Sequence, residues 1–192
     1  SISDYAFAGS GLKRFKLPAS LQYFGTGCFM DCEDLIIVEF EFSSQIKTFS
    51  ESLFKNCKAL HQVNACPHQL EKIEKNVFKN CDTLSAFFMP NTLVSIGESA
   101  FENCSNINTI GFSDNLAYIG KNAFKNCTNM MEFEFTSYIS TIEEGTFSNC
   151  SKLNTVNIGQ TNIVEIKDYA FYNCGVLSTV DFPLSLTTIG KG

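Results

Sequence analysis

The sequence lacks tryptophan, has only two histidines and four prolines, and contains no apolar run longer than a few residues. A membrane-spanning helix needs about 20 consecutive apolar residues, so we expect no membrane insertion within these 192 residues. Lys and Arg number 14 against 20 Asp and Glu, which gives a net charge of −6, and the cations are scattered along the chain. The basic patch that nucleic acids and anionic membranes require is therefore missing, and we expect no nucleic-acid partner.

Apolar residues are plentiful, at 44% of the chain, and 19 of them are phenylalanines. This composition is ample for a hydrophobic core and excludes an intrinsically disordered chain. A phenylalanine recurs every 22 to 25 residues, with Ile or Phe five residues before it and, in all copies but the first, Cys three residues after it. The recurring residues are Phe7, Phe29, Phe54, Phe78, Phe101, Phe124, Phe147 and Phe171. A fixed period of this length predicts a solenoid, in which each small unit stacks on copies of itself.

Two kinds of spacing alternate within each repeat. The apolar residues Ile119, Ala123, Phe124 and Cys127 follow one another at the spacing of one face of a helix, which predicts a short helical turn. After the Cys the spacing changes to alternation, as in Val156 to Ile158, which predicts a strand with one face inward. The predicted fold is an α/β-type solenoid: a right-handed superhelix of about eight repeats of 22–25 residues, mostly short parallel strands with short helical turns.

The repeat resembles a known family. The Leu-x-x-Val-x-Phe pattern of residues 177–182 is similar to the strand signature of leucine-rich repeats. The Ala-Phe-x-Asn-Cys element at residues 100–104, placed before such a strand, resembles the BspA-like, or Treponema-type, leucine-rich repeat. In the common leucine-rich repeat the Asn or Cys follows the strand, whereas here the Cys precedes it. The resemblance covers essentially the whole chain and implies a leucine-rich repeat solenoid acting as a scaffold, with no cofactor.

The repeat is continuous from Ile2 to Ile189, so we expect residues 1–192 to form a single leucine-rich repeat domain. Stacked repeats normally carry polar caps, and their absence predicts a fragment of a longer chain. Two repeats deviate. The second has two extra residues around positions 37–42, which leaves its inward and outward register open, and the third has Ala65 and Cys66 where other repeats have a large apolar residue and a turn. We expect the strand of the third repeat to be weaker.

Seven of the nine cysteines share one repeat position and should stack as a ladder. Their Cβ atoms would be about 4.8 Å apart and parallel, whereas a disulfide needs about 3.5 to 4.5 Å. The pattern favours buried reduced thiols, and a bridge involving Cys28 and Cys66, which lie outside the ladder, is the alternative. A zinc site of Cys57, His61, Cys66 and His68 is excluded, because His61 and Cys66 lie at opposite ends of a strand about 16 Å apart. We expect no metal site.

Two further patterns, a carboxylate pair and repeated N-glycosylation acceptor patterns, can be explained by the fold alone. Glu132 and Glu134 point to the same side of a strand about 7 Å apart, a separation that two catalytic carboxylates could use. Outward strand positions are polar in any one-sided sheet, however, and no aromatic cleft residues converge there, so we predict no catalytic residues. Three Asn-Cys-Ser/Thr acceptor patterns for N-glycosylation begin at Asn103, Asn126 and Asn149. The repeat itself explains their recurrence, and whether they carry glycans stays open.

The outward strand positions form the candidate site, which we call the strand face. Inward positions carry the same few residue types in every repeat, whereas outward positions vary from basic at the N-terminal end to acidic further along. A solenoid would hold them on rigid strands over about 35 to 40 Å, a span suited to another protein. The predicted partner-binding residues are Lys13, Arg14, Lys16, Glu39, Glu41, His61, Gln62, Asn64, Ser85, Phe88, Asn108, Thr109, Met131, Glu132, Glu134, Asn154, Asn157, Thr179 and Asp181.

These features predict a non-enzymatic protein-binding module. The resemblance to BspA-like surface proteins, a family associated with adhesion to host or matrix proteins and to other cells, implies a cell-surface or secreted protein. The alternative is an intracellular scaffold in the cytoplasm, which would use the same strand face to assemble a complex. In both cases the partner is a protein whose identity the sequence does not specify.

Overall fold

The computed structural model describes residues 1–41 and 43–192. These residues form a stack of coils whose strands all pair in parallel. Within the described ranges the strands are, in chain order, β1 (Arg14–Leu17), β2 (Ile37–Phe40), β3 (Thr48–Phe49), β4 (Gln62–Asn64), β5 (Lys72–Ile73), β6 (Ala86–Phe87), β7 (Ser95–Ile96), β8 (Thr109–Ile110), β9 (Tyr118–Ile119), β10 (Glu132–Glu134), β11 (Thr141–Ile142), β12 (Thr155–Asn157), β13 (Glu165–Ile166) and β14 (Thr188–Ile189).

Most coils have a first strand, which follows the repeat Cys or its equivalent Ser10, and a second strand, which precedes the repeat Phe. The first strands are β1, β2, β4, β6, β8, β10 and β12, and the others are second strands. In the first strands Lys16 pairs with Glu39 and Glu39 with Asn64, while in the second strands Ile73 pairs with Ile96. Because each repeat position lies beside its own copy in the next coil, the side chains at one position form a column along the solenoid.

The remaining side of each coil is a turn arc, such as residues 120–127, and it differs from the predicted helical turn. Successive N–H groups alternate between two kinds of partner: Asn122 donates to Glu144 O of the next coil at 3.0 Å, whereas Ala123 donates back to Gly120 O at 3.1 Å. Asn122 and Asn126 have φ of 55° and 62°, in the left-handed region that a right-handed helix excludes. The arc is therefore a run of β-turns tied to the neighbouring coil.

Among residues 1–41 and 43–192, no helix of a length and hydrophobicity that could cross a membrane is present.

The core is built on the column of repeat phenylalanines. The ring of Phe124 stacks on Phe101 at a centroid distance of 5.2 Å and on Phe147 at 5.5 Å, with interplanar angles of 10° and 12°. All three side chains are fully buried. Rings of the first strands, such as Phe133, pack against this column from the side. The stacked rings make each coil dependent on the coils on either side.

All nine cysteines are free, and the seven of the ladder are buried, as the sequence favoured. The thiols do more than fill space, because each ladder Cys donates a hydrogen bond to the carbonyl of the repeat Phe in the preceding coil. The Sγ of Cys127 donates to Phe101 O at 3.2 Å. Burial also raises the pKa of the Cys66 thiol to about 12 and that of Cys174 to about 11. The thiols of Cys66 and Cys174 are therefore protonated and poorly nucleophilic at neutral pH.

A polar column, the Asn column, runs along the turn arcs and is built from the residue that precedes each ladder Cys, which is Asp31 in the first case and Asn in the other six. Asn126 Nδ2 donates to Asn103 Oδ1 at 2.6 Å, and Asn149 Nδ2 donates to Asn126 Oδ1 at 2.7 Å. The column contains all three asparagines of the glycosylation acceptor patterns, and each is half-buried. Their side-chain amide nitrogens are therefore occupied in the folded chain, where a glycan would have to be attached.

The two deviating repeats are also described. In the second, Val38 and Phe40 point inward and are buried, while Glu39 points outward. The last residue of that uncertain stretch, Phe42, lies outside the described residues. In the third repeat Val63 is only half-buried, and in the described part of the chain β4 makes no ladder with β6. Among the described residues the first-strand sheet is interrupted between β8 and β10 as well, so the break is not specific to the third repeat, and its weaker strand stays a prediction.

Candidate functional site

The predicted binding residues lie on the outer side of the first strands and of the residues that flank them. All of them are exposed except Glu41 and Ser85, which are half-buried. Thr179 and Asp181 lie in residues 177–182, which were predicted as a strand but have no strand pairing in the structure. This segment still follows the preceding coil closely, since a Cβ placed on Gly159 would lie 3.2 Å from Asp181 O. The strand face therefore extends over the last coil.

At the N-terminal end of the strand face the predicted basic charge is partly neutralised. Lys16 Nζ lies 2.9 Å from Glu41 Oε1, and this hydrogen bond, with the attraction between the two charges, raises the pKa of Lys16. The side chains of Lys16 and Glu41 are 66% and 43% exposed, so the ion pair adds little to stability. Its effect on the surface is larger than its effect on the fold, because it removes one of the three positive charges from this end.

Further along the strand face the acidic residues have no such partners. Within the described residues, no Lys or Arg lies within ion-pair distance of Glu132, Glu134 or Asp181. Other sides of the solenoid differ, since several of their acidic residues pair with a lysine of an adjacent coil, as Glu144 does with Lys121 at 2.9 Å. The acidic half of the strand face is thus a surface of uncompensated charge.

A hollow of about 440 Å³, the acidic hollow, lies in this part of the strand face. It brings together five residues predicted from the sequence and several that the sequence reasoning missed. The missed Gly159, Gln160 and Thr161 stand where three other repeats continue with Pro18, Pro90 or Pro183, and this replacement was the available signal. The lining residues are Glu134, Phe135, Asn154, Thr155, Val156, Asn157, Ile158, Gly159, Gln160, Thr161, Thr179 and Asp181.

A second hollow of about 320 Å³, the aromatic hollow, lies beside the first. Glu134 and Phe135 line both hollows and form the wall between them. The residues of the aromatic hollow are Phe112, Ser113, Asp114, Glu134, Phe135, Thr136 and Ser137. The sequence reasoning did not include Phe112 in the site, because its repeat position is an inward one. Together the two hollows make a groove across the ends of the strands.

A further hollow of about 580 Å³ lies on the second strands and contains none of the predicted site residues. Its charged residues are compensated, since Lys47 pairs with Glu71 at 2.8 Å and Glu74 pairs with Lys72 at 3.0 Å. Its other lining residues are Gln22, Tyr23, Thr26, Thr48, Ser50, Gln45 and Gln69. This surface offers polar groups but no free charge of one sign.

Two of the residues weighed as a metal site, Cys57 and His61, lie within hydrogen-bond distance of backbone carbonyls. Cys57 Sγ donates to Phe29 O at 3.1 Å, and His61 Nδ1 lies 3.1 Å from Thr83 O. In the described ranges no three His, Cys, Asp or Glu side chains gather in a way that could hold a metal ion. The carboxylates of Glu132 and Glu134 stay on the open strand face, and only Glu134 lines a hollow.

Comparison with known proteins agrees with this architecture. The family described as BspA type leucine rich repeat region matches residues 1–87 and 71–192, with 6 copies of the repeat. None of the curated proteins matches the chain.

Solved structures of bacterial leucine-rich repeat proteins are similar to this one. A leucine-rich repeat protein from Bacteroides ovatus is 25% identical, with a TM-score of 0.82 over 92% of this chain and 47% of that one, so this chain spans about half its length. The leucine rich repeat protein of T. pallidum is 20% identical, with a TM-score of 0.80 over 93% of this chain and 83% of that one. The family match and the similar folds both agree with the BspA-like repeat that the sequence resembles. The chain belongs to the BspA-type leucine-rich repeat family.

Proposed function

We propose that this chain is a protein-binding module whose partner docks on the strand face. The observation that carries the proposal is the contrast between the two sides of the first strands: inward positions repeat the same residue types, while outward positions are exposed and differ from coil to coil. Rigid parallel strands hold these varied side chains in fixed register. BspA-type leucine-rich repeats are typically non-enzymatic binding scaffolds, which agrees with this role.

The dimensions of the strand face suit a protein partner. Eight coils about 4.8 Å apart give a surface about 35 Å long. A standard protein–protein interface covers about 800 Å² of each partner, and a surface of this length can supply it. The acidic and aromatic hollows lie side by side on this surface, so a partner could fill both at once.

For its biological role we propose adhesion at the cell surface, or as a secreted protein, to host or matrix proteins or to other cells. Uncompensated charge on one face supports recognition of a partner outside the chain. A leucine rich cell surface protein from Faecalibacterium prausnitzii has a similar structure, with a TM-score of 0.57 and 14% identity over 98% of this chain and 82% of that one. The likeness to that protein concerns the fold, and the proposal of a surface location for this chain is drawn by analogy with that protein's name.

The proposal is tested by surface plasmon resonance with a panel of purified extracellular matrix and plasma proteins. Asn157→Arg places a bulky side chain in the acidic hollow, and Gln22→Arg places the same side chain on the second strands as a control. We expect at least one panel protein to bind, with affinity reduced about tenfold by Asn157→Arg and unchanged by Gln22→Arg. Equal effects of the two changes would show that the strand face is not the site, and absence of any binding would contradict the adhesion role.

A second candidate is an intracellular scaffold that uses the same face. The observation that favours it is that all nine cysteines are free, since secreted proteins commonly use cysteines in disulfides. Antibody labelling of intact cells separates the two roles. Labelling without permeabilisation supports the surface role, and labelling only after permeabilisation supports the scaffold.

A further inference from the structure

Phe112 is exposed at a repeat position that is buried in the coil before it and in the two coils after it, and that is exposed again at Phe182. In neighbouring coils this position holds Met89, Phe135 and Ile158, which are at most 7% exposed, whereas Phe112 is 43% exposed. A ring that could have joined the core instead forms part of the aromatic hollow. Exposed apolar side chains that line a hollow are typical of binding surfaces.

A second exposed ring belongs to the preceding coil. Phe88 points outward from the end of β6 and is 67% exposed. Its partner position in the next coil is Gly111, where an added Cβ would lie 3.0 Å from Phe88 Cα and 3.1 Å from Phe88 Cδ1. The absence of a side chain at Gly111 leaves the ring of Phe88 open, and Phe112 follows directly in the chain. We call Phe88, Gly111 and Phe112 the apolar patch.

The surroundings of the apolar patch are acidic. Asp114 and Glu134 line the aromatic hollow, and Glu134 and Asp181 line the acidic hollow. The segments that carry this half of the strand face, residues 106–114, 129–137, 153–161 and 176–184, contain no Lys or Arg. In contrast, the described carboxylates on other sides of the solenoid are commonly paired with lysines of the adjacent coil, as Glu102 is with Lys79 at 2.8 Å. The charge complementary to this groove must therefore come from a partner.

The geometry also sets the distance between the apolar patch and the acidic hollow. Glu134 pairs with Asn157 in the next coil, and Asp181 follows in the coil after that, so Asn157 lies between the two carboxylates. Gly111 is two coils from Asn157, about 10 Å at 4.8 Å per strand. An extended chain rises about 3.3 Å per residue, so about three residues of a bound segment cover that distance. A guanidinium group placed over Asn157 can donate to carboxylates on both sides, which suits its planar array of donors.

On the basis of the proposed protein-binding function, we propose that this groove binds a segment of a partner protein in which an apolar residue and an arginine are separated by about three positions. The apolar side chain packs against Phe88 and Phe112, and the arginine enters the acidic hollow between Glu134 and Asp181. Burial of the apolar side chain supplies affinity, while the charge pairs fix the register of the segment and speed its approach. A protein segment fits better than a small cation, because only a chain can reach both the patch and the hollow.

The probe for this inference is a synthetic Gly/Ser peptide that contains one leucine and one arginine three positions apart. Titration into the isotopically labelled 192-residue chain, followed by amide NMR shifts, detects binding even in the millimolar range. We expect shifts at Phe88, Phe112, Glu134, Asn157 and Asp181. Replacing the leucine of the peptide by serine, or moving the arginine next to the leucine, should raise the Kd about fivefold.

Variants of the chain sharpen the test. The double variant Glu134→Gln with Asp181→Asn should raise the Kd of the leucine–arginine peptide about fivefold or more, whereas Glu51→Gln, an exposed carboxylate on a turn arc, should leave it within about twofold. Absence of shifts, shifts located elsewhere, or an unchanged Kd in the double variant would each overturn the inference. A peptide with glutamate in place of arginine separates the two proposals: if it alone binds at these residues, the strand face still binds protein segments and only the partner chemistry is wrong. If neither peptide binds, the inference falls, and the protein panel alone decides the binding function.

Discussion

At the scale of single residues, the Phe column predicts a large difference between buried and exposed rings. Phe124 is fully buried between Phe101 and Phe147, so Phe124→Ala leaves a cavity and should lower the free energy of unfolding by about 3 to 5 kcal/mol. Phe88→Ala, at a ring that is 67% exposed, is the matched control and should change it by about 0.5 kcal/mol or less. Urea unfolding followed by circular dichroism measures both. A neutral Phe124→Ala would mean that the inward register of the repeat is wrong.

The Asn column allows two contributions to be separated at one residue. Asn126 combines a left-handed backbone, with φ of 62°, and side-chain hydrogen bonds to Asn103 and Asn149. Asn126→Gly keeps the backbone conformation and loses the hydrogen bonds, which should cost about 1 to 3 kcal/mol. Asn126→Ala loses both, and the left-handed conformation adds a further penalty of about 1 kcal/mol.

The order of the two variants is the decisive result. Thermal unfolding should place Asn126→Ala below Asn126→Gly, and both below the unmodified chain. If the glycine variant is the less stable of the two, the backbone strain at this position is smaller than φ indicates. If both variants are as stable as the unmodified chain, the Asn column contributes nothing measurable to the stability of the fold.

At the scale of elements, the glycines that follow the second strands control how closely the coils approach. A Cβ on Gly120 would lie 2.6 Å from Glu98 N and 2.7 Å from Gly97 C, both backbone atoms that cannot move aside. Gly120→Ala should therefore destabilise the fold by about 1 to 3 kcal/mol. Gly175→Ala is the control, because nothing lies within 4 Å of a Cβ placed there.

Denaturant unfolding of the two glycine variants decides the matter. We expect the midpoint to fall for Gly120→Ala and to stay close to that of the unmodified chain for Gly175→Ala. Equal midpoints for the two variants would show that the coils can move apart at no cost, contrary to the close contact between residues 97–98 and 120.

The sequence predicted most of the strands correctly but predicted a helical turn where the structure has a run of β-turns. The alternation around Val156 specified the strands and their inward side, because a strand has a period of two whatever its neighbours are. The turn arc was missed because the spacing of Ile119, Ala123 and Phe124 is the same in a helix and in a run of turns. The signal was the recurrent Asn, a residue that tolerates positive φ.

The candidate site was predicted in part for a similar reason. Alternation identified Glu134, Asn157 and Asp181 as outward, and the structure places them on one hollow. Phe112 could not be identified, because repeat logic assigns its position to the core and only the folded chain shows the ring exposed. The shape of the groove also depends on the turn at Gly159, whose conformation no periodic pattern specifies.

At the scale of the whole molecule, charge is distributed unevenly around the solenoid. Lysines and carboxylates of adjacent coils pair along the turn arcs and the second strands, whereas the acidic half of the strand face has no such pairs among the described residues. Exposed pairs contribute little to stability, so this arrangement matters mainly for the electrostatic field outside the molecule. That field is negative over the groove and would guide a basic segment toward it.

The most direct test of the strand face as the binding site is the association rate of a panel protein that binds, measured by surface plasmon resonance at two salt concentrations. Glu134→Lys and Glu51→Lys change the net charge equally, but only the first lies on the strand face. We expect Glu134→Lys to slow association about tenfold at low salt, with a smaller effect at high salt, and Glu51→Lys to change it by about twofold or less. Equal effects of the two changes, or none from Glu134→Lys, would contradict the assignment of the strand face.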